Sequence, residues 1–297
     1  MANITAGMVK ELREKTGAGM LECKKALEEA AGDIEKAIEI LRKKGIAKAA
    51  KKSGRVAAEG IVITKTTDDG KKGIVLEFNT ETDFAAKNEN VIAVSNKLSD
   101  IALEKGISDV EVLKKELIDG KTAEEVVVEI VAKIGENMNV RRVNAFEAKD
   151  NSFITVYSHL GGKIGVILEL EGKKSEEADE IAKNIAMHIA AMNPKYLTKD
   201  EVTTETLEKE KEIERVQLEK EGKPANIIEK ILTGKMNKFY EENCLLNQKF
   251  VRDDKLTVEK YAGALKIVRF DRYQLGEGIE KETLDFAAEV AAQMSGK

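Results

Sequence analysis

Gly73-Ile74-Val75-Leu76-Glu77-Phe78 and Gly165-Val166-Ile167-Leu168-Glu169-Leu170 are the same pattern written twice. A Gly-rich turn precedes each, Asp69-Gly70-Lys71-Lys72-Gly73 in one case and Gly161-Gly162-Lys163 in the other. Before each turn lies a second β-branched run, Ile61-Val62-Ile63-Thr64 or Phe153-Ile154-Thr155-Val156-Tyr157. Such runs around tight Gly turns read as hairpins, and the short turns force antiparallel pairing. Helix-period segments follow, Val91 to Ala102 and Ile181 to Ala190, each suited to covering one sheet face. The spacing predicts an α+β fold built twice rather than a parallel α/β sheet. One copy is expected to open at Arg55-Val56-Ala57-Ala58-Glu59-Gly60 and the other at Arg142-Val143-Asn144-Ala145-Phe146-Glu147.

The copies differ between the last hairpin strand and the helix. The first inserts Asn79–Asn90, containing Thr82-Asp83-Phe84-Ala85, where the second has only Glu171-Gly172-Lys173-Lys174-Ser175. A fold that closes without the longer loop does not need it, so the insertion is a candidate for function. The chain has 8 Phe and no Trp, which makes Phe84 at a loop-to-helix corner notable. It is either core or a probe offered to another protein. Thr82 or Asp83 can cap the helix that follows.

Outward from the repeat, residues 1–45 read as three short helices. Val9, Leu12 and Arg13 mark the first, Leu21, Ala26 and Leu27 the second, and Ile34, Ala37, Ile38 and Leu41 the third, which Asp33 caps and Gly45 ends. A unit this small has a small core, so the apolar loop Gly17-Ala18-Gly19-Met20 suggests a docking surface. Residues 42–55 are basic without an acid between them, which reads as a helix end and linker, with nucleic-acid contact as the runner-up. Residues 198–242 read as a charged antiparallel helical hairpin, a protrusion or a dimer contact. Leu265 to Phe270 reads as a final strand and Lys281–Met294 as a terminal amphipathic helix. The expected units are 1–54, 55–141, 142–197 with 243–273, the inserted hairpin 198–242, and 274–297.

Composition excludes several classes. With 49 Lys and Arg against 54 Asp and Glu, the net charge of −5 lacks the basic footprint of a nucleic-acid coat. Two Cys and two His leave no metal-ligand cluster and no disulfide framework. No apolar run reaches the ~20 residues of a membrane span, and the start of the chain lacks an export signal, so a cytoplasmic protein is expected. Neither His159, beside a turn, nor His188, within an apolar helix, belongs to a catalytic constellation. A protein without covalent chemistry, binding a partner at several points, is the reading that remains.

Four stretches resemble the bacterial elongation factor Ts family, in order and across nearly the whole chain. They are Leu12-Arg13-Glu14-Lys15-Thr16-Gly17-Ala18-Gly19-Met20-Leu21-Glu22-Cys23, Glu77 through Lys87, Lys133-Ile134-Gly135-Glu136-Asn137, and Gly276-Glu277-Gly278-Ile279-Glu280-Lys281. Departures fall at Phe78, Thr80, Ala85 and Lys249. The resemblance implies a UBA-like N-terminal three-helix unit, two antiparallel α+β core subdomains, a helical hairpin insertion and a C-terminal helix. It implies a guanine-nucleotide exchange factor that binds elongation factor Tu, GDP-bound and nucleotide-free, and needs no cofactor or metal of its own. Thr82, Asp83, Phe84 and Ala85 would enter the partner near its Mg²⁺. Leu12, Arg13, Met20, Ile134, Gly135 and His159 would add contacts. No membrane or direct nucleic-acid partner is implied, and a homo-oligomer is left open.

Overall fold

The computed structural model describes residues 4–280, so the expected terminal helix Lys281–Met294 lies outside the described residues. At the N-terminus, α1 (Ala6–Thr16), α2 (Met20–Glu29) and α3 (Ile34–Lys52) pack Val9, Leu12, Cys23, Ala26, Leu27 and Ala37 into a small core. Thr5 and Asp33 cap α1 and α3 through their side-chain oxygens, and Gly17 ends α1 at φ +66°.

The third helix does not stop at Gly45, as its sequence suggested. It runs on through the basic segment to Lys52. A Cβ on Gly45 would come within 3.3 Å of the Ala132 Cβ, so this glycine serves close helix–helix packing rather than termination. The cations of this stretch meet acids: Arg42 pairs with Glu125, Lys44 with Glu29, Lys48 with Glu22 and Arg55 with Glu81.

The first copy comprises β1 (Glu59–Thr66), β2 (Lys72–Thr80), the short α4 (Asp83–Ala86), α5 (Glu89–Lys105), α6 (Val110–Leu113), the small ribbon β3 (Leu117–Ile118) and β4 (Lys121–Thr122), α7 (Ala123–Ile134) and β5 (Met138–Glu147). Its sheet has the order β1-β2-β5, antiparallel throughout. The second copy has β6 (Ser152–His159), β7 (Ile164–Glu171), α8 (Glu176–Met192), the long hairpin α9 (Thr204–Lys220) and α10 (Ala225–Asn243), the ribbon β8 (Lys249–Phe250) and β9 (Asp253–Thr257), α11 (Val258–Ala262) and β10 (Lys266–Gln274). Its sheet runs β10-β7-β6.

The segment from Arg142 to Glu147 therefore does not open the second copy. It lies in the third strand of the first sheet, so the expected boundary at 141/142 cuts a strand, and its structural equivalent is the Arg269 to Gln274 stretch of β10. Proximity in sequence to β6 suggested otherwise, whereas the partner of β5 lies far upstream in β2.

Each sheet buries both faces, which is why its central strand reads as an apolar run rather than an alternation. Ile74, Leu76 and Phe78 of β2 face α5 and α7, and Val166, Leu168 and Leu170 of β7 face α8. The opposite faces meet each other through Val62, Val75, Phe146, Ile154 and Ile167. The molecule is thus layered helix, sheet, sheet, helix around an internal pseudo-two-fold axis. The axis is visible in matched contacts: Ile154 N donates to Gly70 O at 2.8 Å, and Val62 N donates to Gly162 O at 2.7 Å. Arg142 stacks on Tyr273 and Arg269 on Phe146, each with the guanidinium carbon 4.1 Å from the ring centre. Such pairing of one patch with its own copy is the geometry of an isologous dimer, here built within one chain. In the hairpin insertion, Leu218, Ile228 and Leu232 form a separate small core.

Candidate functional site

Thr80 ends β2, and its hydroxyl donates to Thr82 O at 2.7 Å, turning the chain away from the sheet. Thr82 is the N-cap of α4, since its Oγ1 accepts from Ala85 N at 3.2 Å. The same hydroxyl is braced by donating to Glu136 Oε1 at 2.9 Å, and the Thr82 backbone N donates to Glu136 Oε2 at 3.1 Å. Asn137 N donates to the Glu81 carboxylate, whose other oxygen pairs with Arg55 at 3.0 Å. Asn137 Nδ2 in turn donates to Arg55 O at 2.7 Å. Both bases of the loop are therefore clamped by the Glu136-Asn137 pair that follows α7.

Within the loop the side chains divide by direction. Ala85 is buried, packing with Phe78 and Val91 in the first core. Phe84 is 81% exposed, the most exposed large hydrophobic residue among those described. Asp83 takes the first helical position, where its charge suits the helix N-terminus, and meets Lys87 at 2.7 Å. The Lys87 hydrogen bond holds the Asp83 carboxyl below the usual carboxylate range, opposed by slight desolvation and reinforced by the charge of Lys163. Lys87 Nζ also lies 5.9 Å from the Phe84 ring centre. The sequence left core and probe open for Phe84; the geometry selects an outward side chain on an anchored support.

The root of β2 is held from the far end of the chain. Glu77 is fully buried and accepts from Gly276 N at 2.8 Å, Arg142 Nε at 2.6 Å, Arg141 Nη1 at 3.1 Å and Asn79 Nδ2 at 3.1 Å. Neighbouring strand residues ordinarily face opposite ways. A bulge opposite Glu77/Phe78 lets Arg141 and Arg142 both reach one carboxylate. Burial alone would push the Glu77 carboxyl up, but the Gly276 N–H and Arg142 outweigh it and hold it below the ordinary value.

The remaining predicted contact residues scatter in their availability. Leu12 is fully buried in the N-terminal core, so it supports that unit instead of offering a surface. Arg13 is exposed, and Met20, at the start of α2, is 49% exposed. Beside Met20 lies Leu21, 65% exposed, one of the residues whose spacing marked the second helix. Ile134 is half-buried against the first core, and Gly135 ends α7 at φ +89°. His159 ends β6, half-buried, with its Nδ1 3.0 Å from the Tyr157 hydroxyl. Contacts connect two of these places: Gly17 lies against Lys133, and Glu136 against Thr82.

Sequence reasoning missed Glu81, Glu136, Asn137 and Lys87 as working parts of the site. Only a polar pair just after the Gly135 helix stop hinted at a brace. His188, by contrast, is structural as its apolar helix suggested. It is fully buried between Gln248, 2.9 Å from Nε2, and Val251 N, which donates to Nδ1 at 3.1 Å. Among the described residues, no three His, Cys, Asp or Glu converge as a metal site. No described helix is long and apolar enough to cross a membrane.

Against this geometry stand the likenesses to known proteins. A family model described as "Elongation factor TS" matches residues 81–277. The elongation factor Ts of a Nitratiruptor species is 52% identical over 98% of this chain and 99% of its own length. That of Halothermothrix orenii is 50% identical over 97% of this chain and 98% of its own. Elongation factor Ts of Clostridium botulinum is also 50% identical, over 98% and 99% respectively. By both measures the chain belongs to the elongation factor Ts family of translation factors.

Proposed function

We propose that the chain is a guanine-nucleotide exchange factor for the translational GTPase elongation factor Tu, acting in the cytoplasm without covalent chemistry. The observation that carries this reading is Phe84, 81% exposed at the tip of a capped and braced loop that the second copy of the fold lacks. A large apolar side chain held outward by a rigid support loses little conformational freedom on docking, so more of its burial free energy is expressed as binding. Asp83 and Lys87 present a balanced ion pair beside it.

In the partner, Mg²⁺ bridges the nucleotide phosphates to the GTPase, so a loop that disturbs that ion's surroundings weakens nucleotide binding. Linkage makes the effect reciprocal, and nucleotide must in turn loosen the factor. Burying one Phe contributes roughly 1.5–3 kcal/mol, while each decade of nucleotide affinity needs about 1.4 kcal/mol. One side chain is too little both to hold the complex and to expel nucleotide. The exposed Met20 and Leu21 of the N-terminal unit and the His159 turn are candidates for the remaining contacts. The test is stopped-flow release of a fluorescent GDP from elongation factor Tu, which this chain should accelerate. Tight binding with an unchanged GDP off-rate would replace exchange with a scaffold role.

A further inference from the structure

Glu136 is the first residue past the Gly135 stop of α7, and its carboxylate is committed to one neighbour. Among the described residues it bonds to Thr82 alone, accepting from the hydroxyl at 2.9 Å and from the backbone N–H at 3.1 Å. Neither α7 nor the sheet takes a hydrogen bond or an ion pair from it, so its use lies in the loop that begins at Thr82. The same grip sets the cap. A Thr82 hydroxyl that donates to Glu136 turns its lone pairs toward Ala85 N, and so fixes the turn on which Phe84 stands. The far end of the loop is held from the same helix. Lys133, in the last turn of α7, donates to Asn90 Oδ1 at 3.2 Å, at the start of α5.

The N-terminal unit rests on α7 as well. Gly45 of α3 lets Ala132 approach, Arg42 pairs with Glu125, and the Lys133 side chain lies against Gly17, just before Met20. One helix thus carries the N-terminal unit along its length and the Phe84 loop at its end. That arrangement has a mechanical consequence. Docking of the N-terminal unit can work against bound nucleotide only through a connection that stays stiff when Phe84 meets resistance. With a slack loop the unit would dock while Phe84 swung aside, giving affinity without release. Two hydrogen bonds to one carboxylate, one from the Thr82 backbone and one from its side chain, remove the hinge that such slack would need.

We propose that Glu136 is a positioning residue for nucleotide release, fixing the Phe84 loop to α7 so that docking through the N-terminal unit is delivered at the loop. The proposal rests on the exchange reading and goes beyond it by naming the joint. GDP release from elongation factor Tu is titrated with factor. Glu136→Ala should lower the maximal rate about fivefold, the size of one net hydrogen bond, and leave the half-saturating concentration unchanged. Glu136→Gln can still accept from Thr82 N and can donate to the Thr82 hydroxyl, so it should retain near-wild-type release. A glutamine variant as slow as the alanine variant means that the charge acts rather than the brace, and overturns the proposal. In a Phe84→Ala background, Glu136→Ala should slow release no further, because the joint acts through that side chain. Additive losses overturn it as well. The loop is also read without any partner. The chain has no Trp, so Phe84→Trp supplies a lone fluorophore at the loop tip. Its fluorescence anisotropy in the free chain should fall with Glu136→Ala and hold with Glu136→Gln, and an unchanged anisotropy in the alanine variant overturns the brace. A wild-type chain that leaves GDP release unchanged sinks the exchange reading, and the anisotropy arm then decides separately whether Glu136 holds the loop.

Discussion

Glu77→Gln tests how the far end of the described chain holds the strand that feeds the Phe84 loop. The Glu77 carboxylate is fully buried and meets Gly276 N, Asn79 Nδ2 and two arginines within 3.1 Å. Glutamine keeps the volume and one acceptor but turns an NH₂ toward these donors. Leaving a buried charge unpaired costs about 3–5 kcal/mol. Arg141 and Arg142 are 28% exposed and can recover some water, which favours the lower end, about 3 kcal/mol. For a chain this long that lowers the unfolding midpoint by roughly 6–12 °C. Glu169→Gln is the internal control. Glu169 occupies the matched place in the second copy, but its Arg269 partner is 46% exposed and, among the described residues, no Gly276 N–H equivalent bonds it, so its loss should be about half as large. The pH dependence has a definite sign. Glu77 titrates below its ordinary 4.5 when folded, so its stabilisation is present above that value and is lost as pH falls through the folded pKa. The gap between wild type and Glu77→Gln should therefore close in acid. Thermal melts followed by circular dichroism from neutral to acid pH measure both effects. Equal shifts for the two variants, or an unshifted Glu77→Gln, would refute this reasoning.

Three further outcomes follow from the geometry. Because Thr82 rather than Asp83 caps α4 and the Asp83–Lys87 pair is exposed, Asp83→Asn should lower the melting midpoint only slightly while slowing accelerated GDP release several-fold; unchanged release would remove any role for its charge. Gly165→Ala should destabilise by about 1–3 kcal/mol, since its Cβ would come within 2.5 Å of Val62 Cγ1 at the sheet–sheet contact, and a chemical denaturation series that shows no loss contradicts that packing. Burial lowers the pKa of His188, so below about 6.5 the unfolded chain takes up a proton that the folded chain resists, and stability falls as pH drops from 7 toward 5.5. His188→Gln, which keeps an acceptor for Val251 N, should lose that slope, and an unchanged slope assigns it to other groups.

Much of the architecture was legible because its signals are local. β-branched runs around Gly70 and Gly162, capping residues before helices, and the apolar stripe Ile227, Ile228, Ile231, Leu232, Met236 and Phe239, of which Ile228, Leu232 and Met236 are buried, all act within a few neighbours. The final strand, read at Leu265–Phe270, is β10 of the second sheet, whereas the third strand of the first sheet was not legible in the same way. β5 pairs with β2 across four helices and a small ribbon, and the Arg-Val resemblance between residues 55–60 and 142–147 pointed to the wrong correspondence. Gly45 misled for a related reason, since its helical continuation is decided by Ala132 on another helix. The loop itself was found by comparing the copies, yet its brace was not. Glu81, Glu136 and Asn137 become meaningful only when α7 ends beside Thr82. Leu12 shows the converse, a residue in a recognisable motif whose side chain the fold keeps for its own core.

The central claim is that an outward Phe84 on a braced loop drives nucleotide release. Its most direct measurement is GDP release from elongation factor Tu at saturating factor, comparing wild type with Phe84→Ala. Phe84 is 81% exposed, so the variant should melt within about 0.5 kcal/mol of wild type. Its maximal release rate should fall about tenfold or more, the equivalent of one buried aromatic side chain. A Phe84→Ala chain that accelerates release as well as wild type would contradict the account.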